Sequence, residues 1–445
     1  MAEATLSEIL AARENRARLQ TEISNKYRTP LISFTMNIAG PIKNSPLIAR
    51  AFKIGLARLD AAIDEEKILF RHVEIKNSTG PCAILAVNED PVLLKELCVN
   101  TEDGDSLGRL FDMDVINESL ERLSRPTERG CIICGASGRA CAAGRVHPTT
   151  ELQTAMNGIM SKGVFEIDSA RIAALATESL IKEVRTTPKP GLVDLRNNGS
   201  HRDMTPLLFE KSALALQEYF FKCIQAGKKN AASPYGDLFS ELRKEGLVAE
   251  RLMYKVTGGA NTHKGAIFSF GLLLGSIGRL WNPDNPTPSA NAIFSEAARL
   301  ANIAIEADFS SPAGLTSGER IYVKRGIKGV RGEAASGFSS VRDISLPAYR
   351  NLRESGLNHN DSGVITLIHL ISKIDDTTAY SRGGEAGLAF VKEYAMSILQ
   401  EKKPLRMTRI EAMDDEFIKR NLSAGGAADL LAVTYFMADL EDYFR

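Results

Sequence analysis

The chain has 445 residues, of which 44% are apolar and 25% are charged. This composition is typical of a globular protein, and the length exceeds that of one ordinary hydrophobic core, so two or three domains are expected. Lysine and arginine together number 55, as do aspartate and glutamate, which leaves no formal net charge. The balance argues against general binding to nucleic acid or to a membrane surface.

The N-terminal segment and the apolar stretches predict a cytoplasmic protein. Residues 1–19 are rich in arginine and glutamate and lack the apolar core of a signal peptide. The longest apolar stretch, residues 265–281, is shorter than the roughly 20 residues that span a bilayer, so a buried helix is predicted. Six cysteines without a secretory signal are expected to be reduced thiols or metal ligands.

Residues 1–163 mix helical and strand patterns, which predicts an α+β domain. A capping box at Thr5 and Glu8 opens the first helix. Strict alternation of apolar and polar residues over 31–38 predicts a half-buried strand. Further strands are predicted over 69–76, 82–87 and 109–116, and further helices over 46–63 and 91–98.

Residues 164–445 show almost no strand pattern, and their helical periodicity predicts an all-α domain. The junction between the two domains is predicted at 161–165. Loops rich in Gly, Asp, Asn, Arg and Lys separate the helices, so the functional site is expected there. Helices are predicted over 168–186, 205–227, 236–256, 264–281, 289–307, 345–354, 362–374, 386–400 and 427–444.

An acidic pair is the sharpest signal in the first domain. In the predicted strand 109–116, Asp112 and Asp114 lie two residues apart and therefore share a face, while the residues between them point to the core. Two neighbouring carboxylates repel each other, and Mg²⁺ would relieve that repulsion and could hold the phosphates of a nucleotide. We expect Glu74, from another predicted strand, as a third ligand. An exposed acidic strand end without metal is the alternative.

Three cysteines and a histidine form a second motif. Cys131, Cys134, Cys141 and His147 follow one another at spacings that a tetrahedral zinc site accepts. The surrounding arginines favour thiolates, and could equally hold a phosphate or an acidic partner. The sequence leaves open a zinc site or three small buried cysteines with a capping histidine.

Two loops of the helical domain have features of an anion site. In loop 186–203, two prolines and the glycine that follows them restrict the shape of the loop, so its charged residues are held in place. In loop 257–264, glycines precede a predicted helix and leave backbone N–H groups free for an anion, to which Lys264 adds positive charge.

Two further loops carry dense charge. Loop 323–332 places four cations and three glycines in ten residues, which suits the binding of a polyphosphate. Asp375 and Asp376 follow a predicted helix, and Asp429 lies beyond a glycine-rich turn. These acids could hold Mg²⁺ on the same phosphates, so the four loops together predict a polyphosphate and metal site.

These residues resemble two enzyme families in the order of a known fused, bifunctional protein. The first half resembles apo-citrate lyase phosphoribosyl-dephospho-CoA transferase, through residues 13–16, 30–41, 108–115 and 131–147. The second half resembles triphosphoribosyl-dephospho-CoA synthase, through residues 189–194, 261–268, 328–333 and 375–378.

The resemblance implies two consecutive reactions. The helical domain would join ATP and 3′-dephospho-CoA with release of adenine. The first domain would transfer phosphoribosyl-dephospho-CoA to a serine of the citrate lyase acyl carrier subunit, with release of diphosphate. The resemblance also implies a nucleotidyltransferase-like core for the first domain, and we expect Mg²⁺ in both domains.

The chemistry of these reactions suggests roles for individual residues. Displacement of adenine develops positive charge on the ribose, which a carboxylate can stabilise. In the first domain, transfer with diphosphate as the leaving group needs cations and a metal. The expected catalytic residues are Arg109, Asp112, Asp114, Asp194, His201, Asp203 and His263. The expected nucleotide ligands are Lys189, Asn261, Lys264, Arg325, Lys328, Arg331 and Arg382.

Two alternatives remain open on the sequence. The chain could serve the equivalent pathway of malonate decarboxylase, which makes the same prosthetic-group precursor. Alternatively, the first domain could be a zinc-stabilised module that binds a carrier protein without catalysis.

Overall fold

The computed structural model describes residues 3–309, 329–401 and 403–445. The chain forms two compact units, one of residues 1–168 with 282–286 and the other of residues 169–281 with 287–445. The unit boundary at 168 falls within one helix, Thr149–Arg185.

The N-terminal unit contains one antiparallel sheet of four strands. The strands are β1 (Leu31–Met36), β2 (Ile68–Glu74), β3 (Cys82–Val87) and β4 (Phe111–Ile116). Their order in the sheet is β2-β3-β1-β4, so β2 and β4 form the edges. The helices of this unit are α1 (Leu6–Tyr27), α2 (Pro46–Ala62), α3 (Pro91–Asp103), α4 (Gly138–Gly144) and the first part of α5 (Thr149–Arg185). The predicted mixture of helices and strands is confirmed.

The two faces of the sheet have different coverings. On one face Phe34 stacks on Phe52 of α2 with ring centroids 4.5 Å apart, a contact typical of a packed aromatic core. On the other face, Ile23 of α1 packs against a cluster that includes Leu31 and Ile116. At the opposite end of the same face Asp112 is exposed, so α1 leaves that end of the sheet accessible.

A buried ion pair fixes α2 to α5 within this unit. The Arg50 guanidinium donates to both carboxylate oxygens of Asp168, with the shorter contact at 2.7 Å, and both side chains are buried. Removal of one partner would leave a buried charge unpaired and lower the free energy of unfolding by about 3–5 kcal/mol.

The C-terminal unit is helical, and the part of it that the structure describes contains no strand. It begins with the second part of α5. The following helices are α6 (Pro206–Ala215), α7 (Gln217–Lys229), α8 (Tyr235–Thr257), α9 (Lys264–Leu280), α10 (Ala290–Phe309), α11 (Gly329–Ala335), α12 (Leu346–Glu354), α13 (His359–Lys373), α14 (Thr377–Leu399), α15 (Lys403–Lys419) and α16 (Gly425–Phe444). The predicted single helix over 205–227 is two helices separated at Leu216, and α15 was not predicted.

Helix α9 is the buried centre of this unit, as its apolar sequence predicts. Its backbone contacts that of α7 directly, because a Cβ atom on Gly278 would lie 2.0 Å from the Ile224 carbonyl oxygen. None of the described helices is both long enough and apolar enough to cross a membrane. The close contact of α7 and α9 lies near the C-terminal end of α9, whereas the candidate site of this unit lies at its N-terminal end.

Candidate functional site

The acidic pair of the N-terminal unit lies on the accessible end of the sheet. Phe111, Met113 and Val115 are buried, whereas Asp112 is exposed and Asp114 is partly exposed, so the predicted shared face is confirmed. The Thr35 hydroxyl, on the neighbouring strand, lies 3.4 Å from an oxygen of Asp112.

The charges around this pair determine its proton affinity. Burial, followed by the negative charge of Asp112, raises the pKa of Asp114. Arg122 partly offsets this effect, with its guanidinium 3.0 Å from an Asp114 oxygen, and Arg16 of α1 adds a further positive charge. Arg16 was not predicted as a site residue, although it belongs to the segment 13–16 that carries the family resemblance. Two coupled carboxylates with flanking cations form a site suited to a divalent metal and a phosphate.

Glu74 does not belong to this site, and its prediction as a third ligand was wrong. It pairs with Cys82, which pairs with Thr35, which in turn pairs with Asp112. These four residues form one row across the sheet. Glu74 therefore lies on the same face as Asp112 but three strand spacings away from it, roughly 14 Å. Glu74 instead lies beside His72 and Cys82, with potential ligand atoms of the three residues all within 4.8 Å of one another.

Arg109 points to the polypeptide backbone. It lies in the 3-10 turn Gly108–Leu110 that precedes β4, and its guanidinium donates to the Gly130 carbonyl oxygen at 2.6 Å. Arg109 thus donates from the turn before β4 to the segment near Gly130. Arg129, on that segment, donates to the Phe111 carbonyl oxygen of β4 at 2.7 Å and also pairs with the buried Glu102. These contacts favour a positioning role for Arg109 over direct contact with a phosphate.

The predicted cysteine cluster is assembled in the structure. Potential ligand atoms of Cys131, Cys134, Cys141 and His147 all lie within 4.8 Å of one another. Hydrogen bonding, first from His147, lowers the pKa of Cys134 to about 6, which favours its thiolate. The alternative of three buried cysteines is wrong, because Cys134 is exposed and the other two are partly exposed.

In the helical unit, the described parts of the four predicted loops are adjacent. The Ser200 hydroxyl donates to the Leu422 carbonyl oxygen at 2.6 Å, and Arg382 donates to the Ser200 carbonyl oxygen at 2.9 Å. A Cβ atom on Gly329 would lie 2.8 Å from the Thr377 side chain, so the end of loop 323–332 reaches the start of α14. Arg325 and Lys328 lie outside the described residues.

The charged residues of loop 186–203 are largely engaged within the protein. Lys189 is buried and pairs with Glu183 of α5. Asp194 is buried, and its two oxygens accept backbone N–H groups of Lys189, Arg196 and Asn197 at 2.7–3.0 Å. The geometry therefore favours a loop-shaping role for Asp194, which leaves it poorly placed to reach a substrate. Glu183 was not predicted from the sequence.

The predicted metal pair Asp375 and Asp376 does not form. Asp376 is buried, and its oxygens accept backbone N–H groups at the starts of α14 and α16, including that of Ala427 at 2.9 Å. Asp375 is exposed and pairs with Lys392 at 2.8 Å. The prediction was wrong because Asp376 serves as the N-cap of α14, which uses the oxygens a metal would need.

Asp429 is a partly buried acidic residue beside the start of α9. A Cβ atom on Gly265 would lie 2.0 Å from an Asp429 oxygen, so the carboxylate rests against the first turn of that helix. Burial, then the negative charges of Glu183 and Asp376, raises the pKa of Asp429 to about 8. The raised pKa keeps Asp429 largely protonated at neutral pH, beside the α9 N-terminus.

The N-terminus of α9 has features of an anion site. His263, the residue before the helix, forms no side-chain cap, and a helix N-terminus of this kind can bind an anion through its first-turn N–H groups. Lys264 pairs with Glu250 at 2.9 Å, and Asn261 accepts from the Lys264 backbone N–H at 3.3 Å. Arg331, on α11, lies over the Phe268 ring of α9.

His263 is buried, and among the described residues the structure gives a hydrogen bond to only one of its two ring nitrogens. Its Nδ1 lies 2.9 Å from the Ser212 hydroxyl, whereas its Nε2 is buried with no hydrogen-bond partner among the described residues. Burial, then the positive charge of Lys189, lowers the pKa of His263 to about 3, so the imidazole is neutral.

His201 and Arg382 connect two loops. His201 Nε2 lies 3.1 Å from the Ser423 hydroxyl, and Arg382 also donates to the Asn421 side-chain oxygen at 3.0 Å. Asp203 is exposed nearby, and its charge acts on both His201 and Arg382. Arg382 is therefore better placed to position the loops than to bind phosphate.

Comparison with known proteins identifies both units. The model of the apo-citrate lyase phosphoribosyl-dephospho-CoA transferase family (CitX) matches residues 4–163. The model of the ATP:dephospho-CoA triphosphoribosyl transferase family (CitG) matches residues 169–445. A protein of Haemophilus influenzae named CitXG is 34% identical over 97% of this chain and 95% of its own length. The chain belongs to the CitXG family.

Other relatives agree with this assignment. The CitXG protein of Leuconostoc mesenteroides subsp. cremoris is 31% identical over 98% of this chain and 97% of its own length. The 2-(5''-triphosphoribosyl)-3'-dephosphocoenzyme-A synthase of Pectobacterium atrosepticum is 40% identical over 58% of this chain and 85% of its own length. The prediction of a bifunctional transferase that makes and attaches the citrate lyase prosthetic group is confirmed.

Proposed function

We propose that the helical unit transfers the triphosphoribosyl group of ATP to 3′-dephospho-CoA and releases adenine. The observation that carries this proposal is the position of Asp429. Its carboxyl group lies against the first turn of α9, close enough to Glu183 and Asp376 for their charges to act on it. The triphosphate would bind first-turn N–H groups of α9, with Lys264 and Arg331 as cationic partners.

A carboxylate of this unit acts on the ribose. In the reaction, the bond from the ribose anomeric carbon to adenine breaks, and a bond to a hydroxyl oxygen of dephospho-CoA forms. Positive charge develops on the ribose as adenine leaves. This charge favours the ionised form of Asp429, whose carboxylate then stabilises it. The neutral His263, with its unpartnered Nε2, is our candidate for a hydrogen bond to the substrate.

Asp429 also fits as a ligand for Mg²⁺ in the helical unit. Its carboxylate oxygens are of the type that Mg²⁺ prefers, whereas those of Asp376 already accept backbone N–H groups. Bound Mg²⁺ would neutralise part of the triphosphate charge.

We propose that the N-terminal unit transfers phosphoribosyl-dephospho-CoA to a serine of the citrate lyase acyl carrier subunit, with release of diphosphate. Asp112 and Asp114, on one accessible face beside Arg16, fit as ligands for Mg²⁺. This arrangement supports the expected nucleotidyltransferase-like core. A cytoplasmic location belongs to the same proposal.

Incubation of the full-length protein with ATP, Mg²⁺ and 3′-dephospho-CoA tests the first reaction. Chromatography should detect free adenine in the same amount as the triphosphoribosyl product. Release of ADP or AMP without adenine would contradict ribosyl transfer. Subsequent addition of the apo-acyl carrier subunit should yield a mass increase on that subunit together with diphosphate.

A further inference from the structure

The segment that contains the cysteine cluster begins with a tight turn over residues 131–135, which we call the knuckle. The Cys131 carbonyl oxygen accepts the Gly135 N–H at 2.9 Å, and Gly135 adopts a positive φ of 75° that closes the turn. The Ile133 N–H points to the Cys131 sulfur at 3.5 Å. An N–H group directed at sulfur stabilises a thiolate, the form of cysteine that binds metal.

The distances between the side chains match a tetrahedral zinc site. Four ligands around Zn²⁺, with Zn–S near 2.3 Å and Zn–N near 2.0–2.1 Å, place sulfur atoms roughly 3.8 Å apart and sulfur and nitrogen roughly 3.6 Å apart. The Cys134 and Cys141 sulfurs are 3.5 Å apart, and the Cys141 sulfur lies 4.0 Å from His147 Nε2. The four side chains therefore already stand close to the positions that the metal requires.

The histidine also has the partner that a zinc ligand usually has. His147 Nδ1 lies 3.5 Å from a carboxylate oxygen of Glu151, in the first turn of α5. A carboxylate in this position fixes the ring orientation and leaves Nε2 for the metal. Since the protein supplies all four ligands, no position remains for water or substrate, which is the pattern of a structural zinc site.

The knuckle is joined to the strand that carries the acidic pair. The Gly130 carbonyl oxygen, next to Cys131, accepts from Arg109. On the same segment, Arg129 donates to the Phe111 carbonyl oxygen and Arg122 pairs with Asp114. A metal at the knuckle would hold residues 122–131 against β4.

We propose that Cys131, Cys134, Cys141 and His147 bind one Zn²⁺ as a structural site that holds the arginine-rich segment 122–131 beside the acidic pair of the N-terminal unit. This inference does not depend on the reactions proposed above, because it rests on the ligand geometry alone.

Metal analysis of the full-length protein, purified under anaerobic conditions from zinc-supplemented cells, tests the proposal. We expect about one Zn²⁺ per chain, and X-ray absorption should give three sulfur neighbours and one nitrogen neighbour. Cys134→Ser and Cys141→Ser should lose the metal, whereas Cys98→Ala, which removes a buried thiol of α3 outside the cluster, should retain it.

Replacement of the bound metal with Co²⁺ in the wild-type protein provides a readout that does not depend on the folding of a variant. Tetrahedral thiolate ligation should give intense visible absorption bands that disappear when Zn²⁺ is added back. A metal-free wild-type protein, metal retained in both serine variants, or a Cys134–Cys141 disulfide under the same anaerobic conditions would each overturn the proposal.

Discussion

At the scale of single residues, Asp429 is the group with the clearest functional consequence. Asp429→Asn preserves the shape of the side chain but cannot form the carboxylate that we assign to catalysis. We expect adenine release to fall about 100-fold or more, because a lost electrostatic partner of the transition state has effects of this size. Asp375→Asn is the matched control, since Asp375 is exposed and paired with Lys392, and it should leave the rate nearly unchanged. Equal losses in both variants would contradict the role of Asp429.

The same substitution should change the pH dependence of stability. The pKa of Asp429 is about 8 in the folded protein and 3.8 as its ordinary value, so the folded state retains a proton that the unfolded state loses. The stability of the fold therefore falls as pH rises between these two values. The charges of Glu183 and Asp376 contribute to this effect. Thermal unfolding should show Asp429→Asn to be more stable than the wild type at pH 8, with a smaller difference near pH 5. A constant difference across this range would contradict the raised pKa.

Asp112 offers an equivalent test in the N-terminal unit. Asp112→Asn should reduce transfer to the acyl carrier subunit about 100-fold, because it removes one of two carboxylates on the accessible face. Glu74→Gln is the control, because Glu74 lies on the same face at the far edge of the sheet. Mass spectrometry of the carrier subunit measures both rates. Unchanged transfer by Asp112→Asn would exclude the proposed metal site.

At the scale of elements, local patterns predicted more than long-range ones. The shared face of Asp112 and Asp114 follows from alternation within one strand, and the structure confirms it. The error at Glu74 arose because a sequence does not state which strands are neighbours. The error at Asp376 could have been avoided, since an aspartate two residues before Thr378 at a helix start is a capping signal. Glu183 and Asp429 were harder to find, because their partners are distant in sequence.

The contact between α7 and α9 makes a prediction about glycine. Gly278→Ala should destabilise the helical unit by about 1–3 kcal/mol, because the new Cβ would overlap the Ile224 carbonyl oxygen. Gly246→Ala in α8 is the control, since its Cβ would meet only ordinary contacts at 3.6 Å or more, and it should raise stability by up to about 1 kcal/mol. Urea unfolding of both variants measures the difference. Equal effects would mean that α7 and α9 can separate at little cost.

At the scale of the whole molecule, the two proposed active sites are built from different residues in different units. Asp112→Asn should therefore retain adenine release, and Asp429→Asn should retain transfer when the triphosphoribosyl intermediate is supplied. A mixture of the two variants, given ATP and dephospho-CoA, should modify the acyl carrier subunit although neither variant does so alone. Failure of the mixture, with each partial activity intact, would show that the intermediate does not leave the chain that made it.

The division into an α+β half and a helical half could be predicted from the sequence because strand alternation ends before the long helical patterns begin. The helix α15 escaped prediction because its charged residues obscure its periodicity. The cysteine cluster could be predicted as a set, since all four residues lie within one short segment. Its relation to β4 could not, because this depends on backbone contacts of Arg109 and Arg129.

Those backbone contacts have a consequence for solubility. β4 is an edge strand, and an uncovered edge offers unpaired N–H and C=O groups to other chains. Here the Leu123 N–H donates to the Val115 carbonyl oxygen at 2.9 Å, and the Arg129 guanidinium donates to the Phe111 carbonyl oxygen. The segment 122–131 thus caps the outer side of β4 with its own hydrogen bonds and several charges. It protects a strand that must remain accessible on one face from edge-to-edge aggregation.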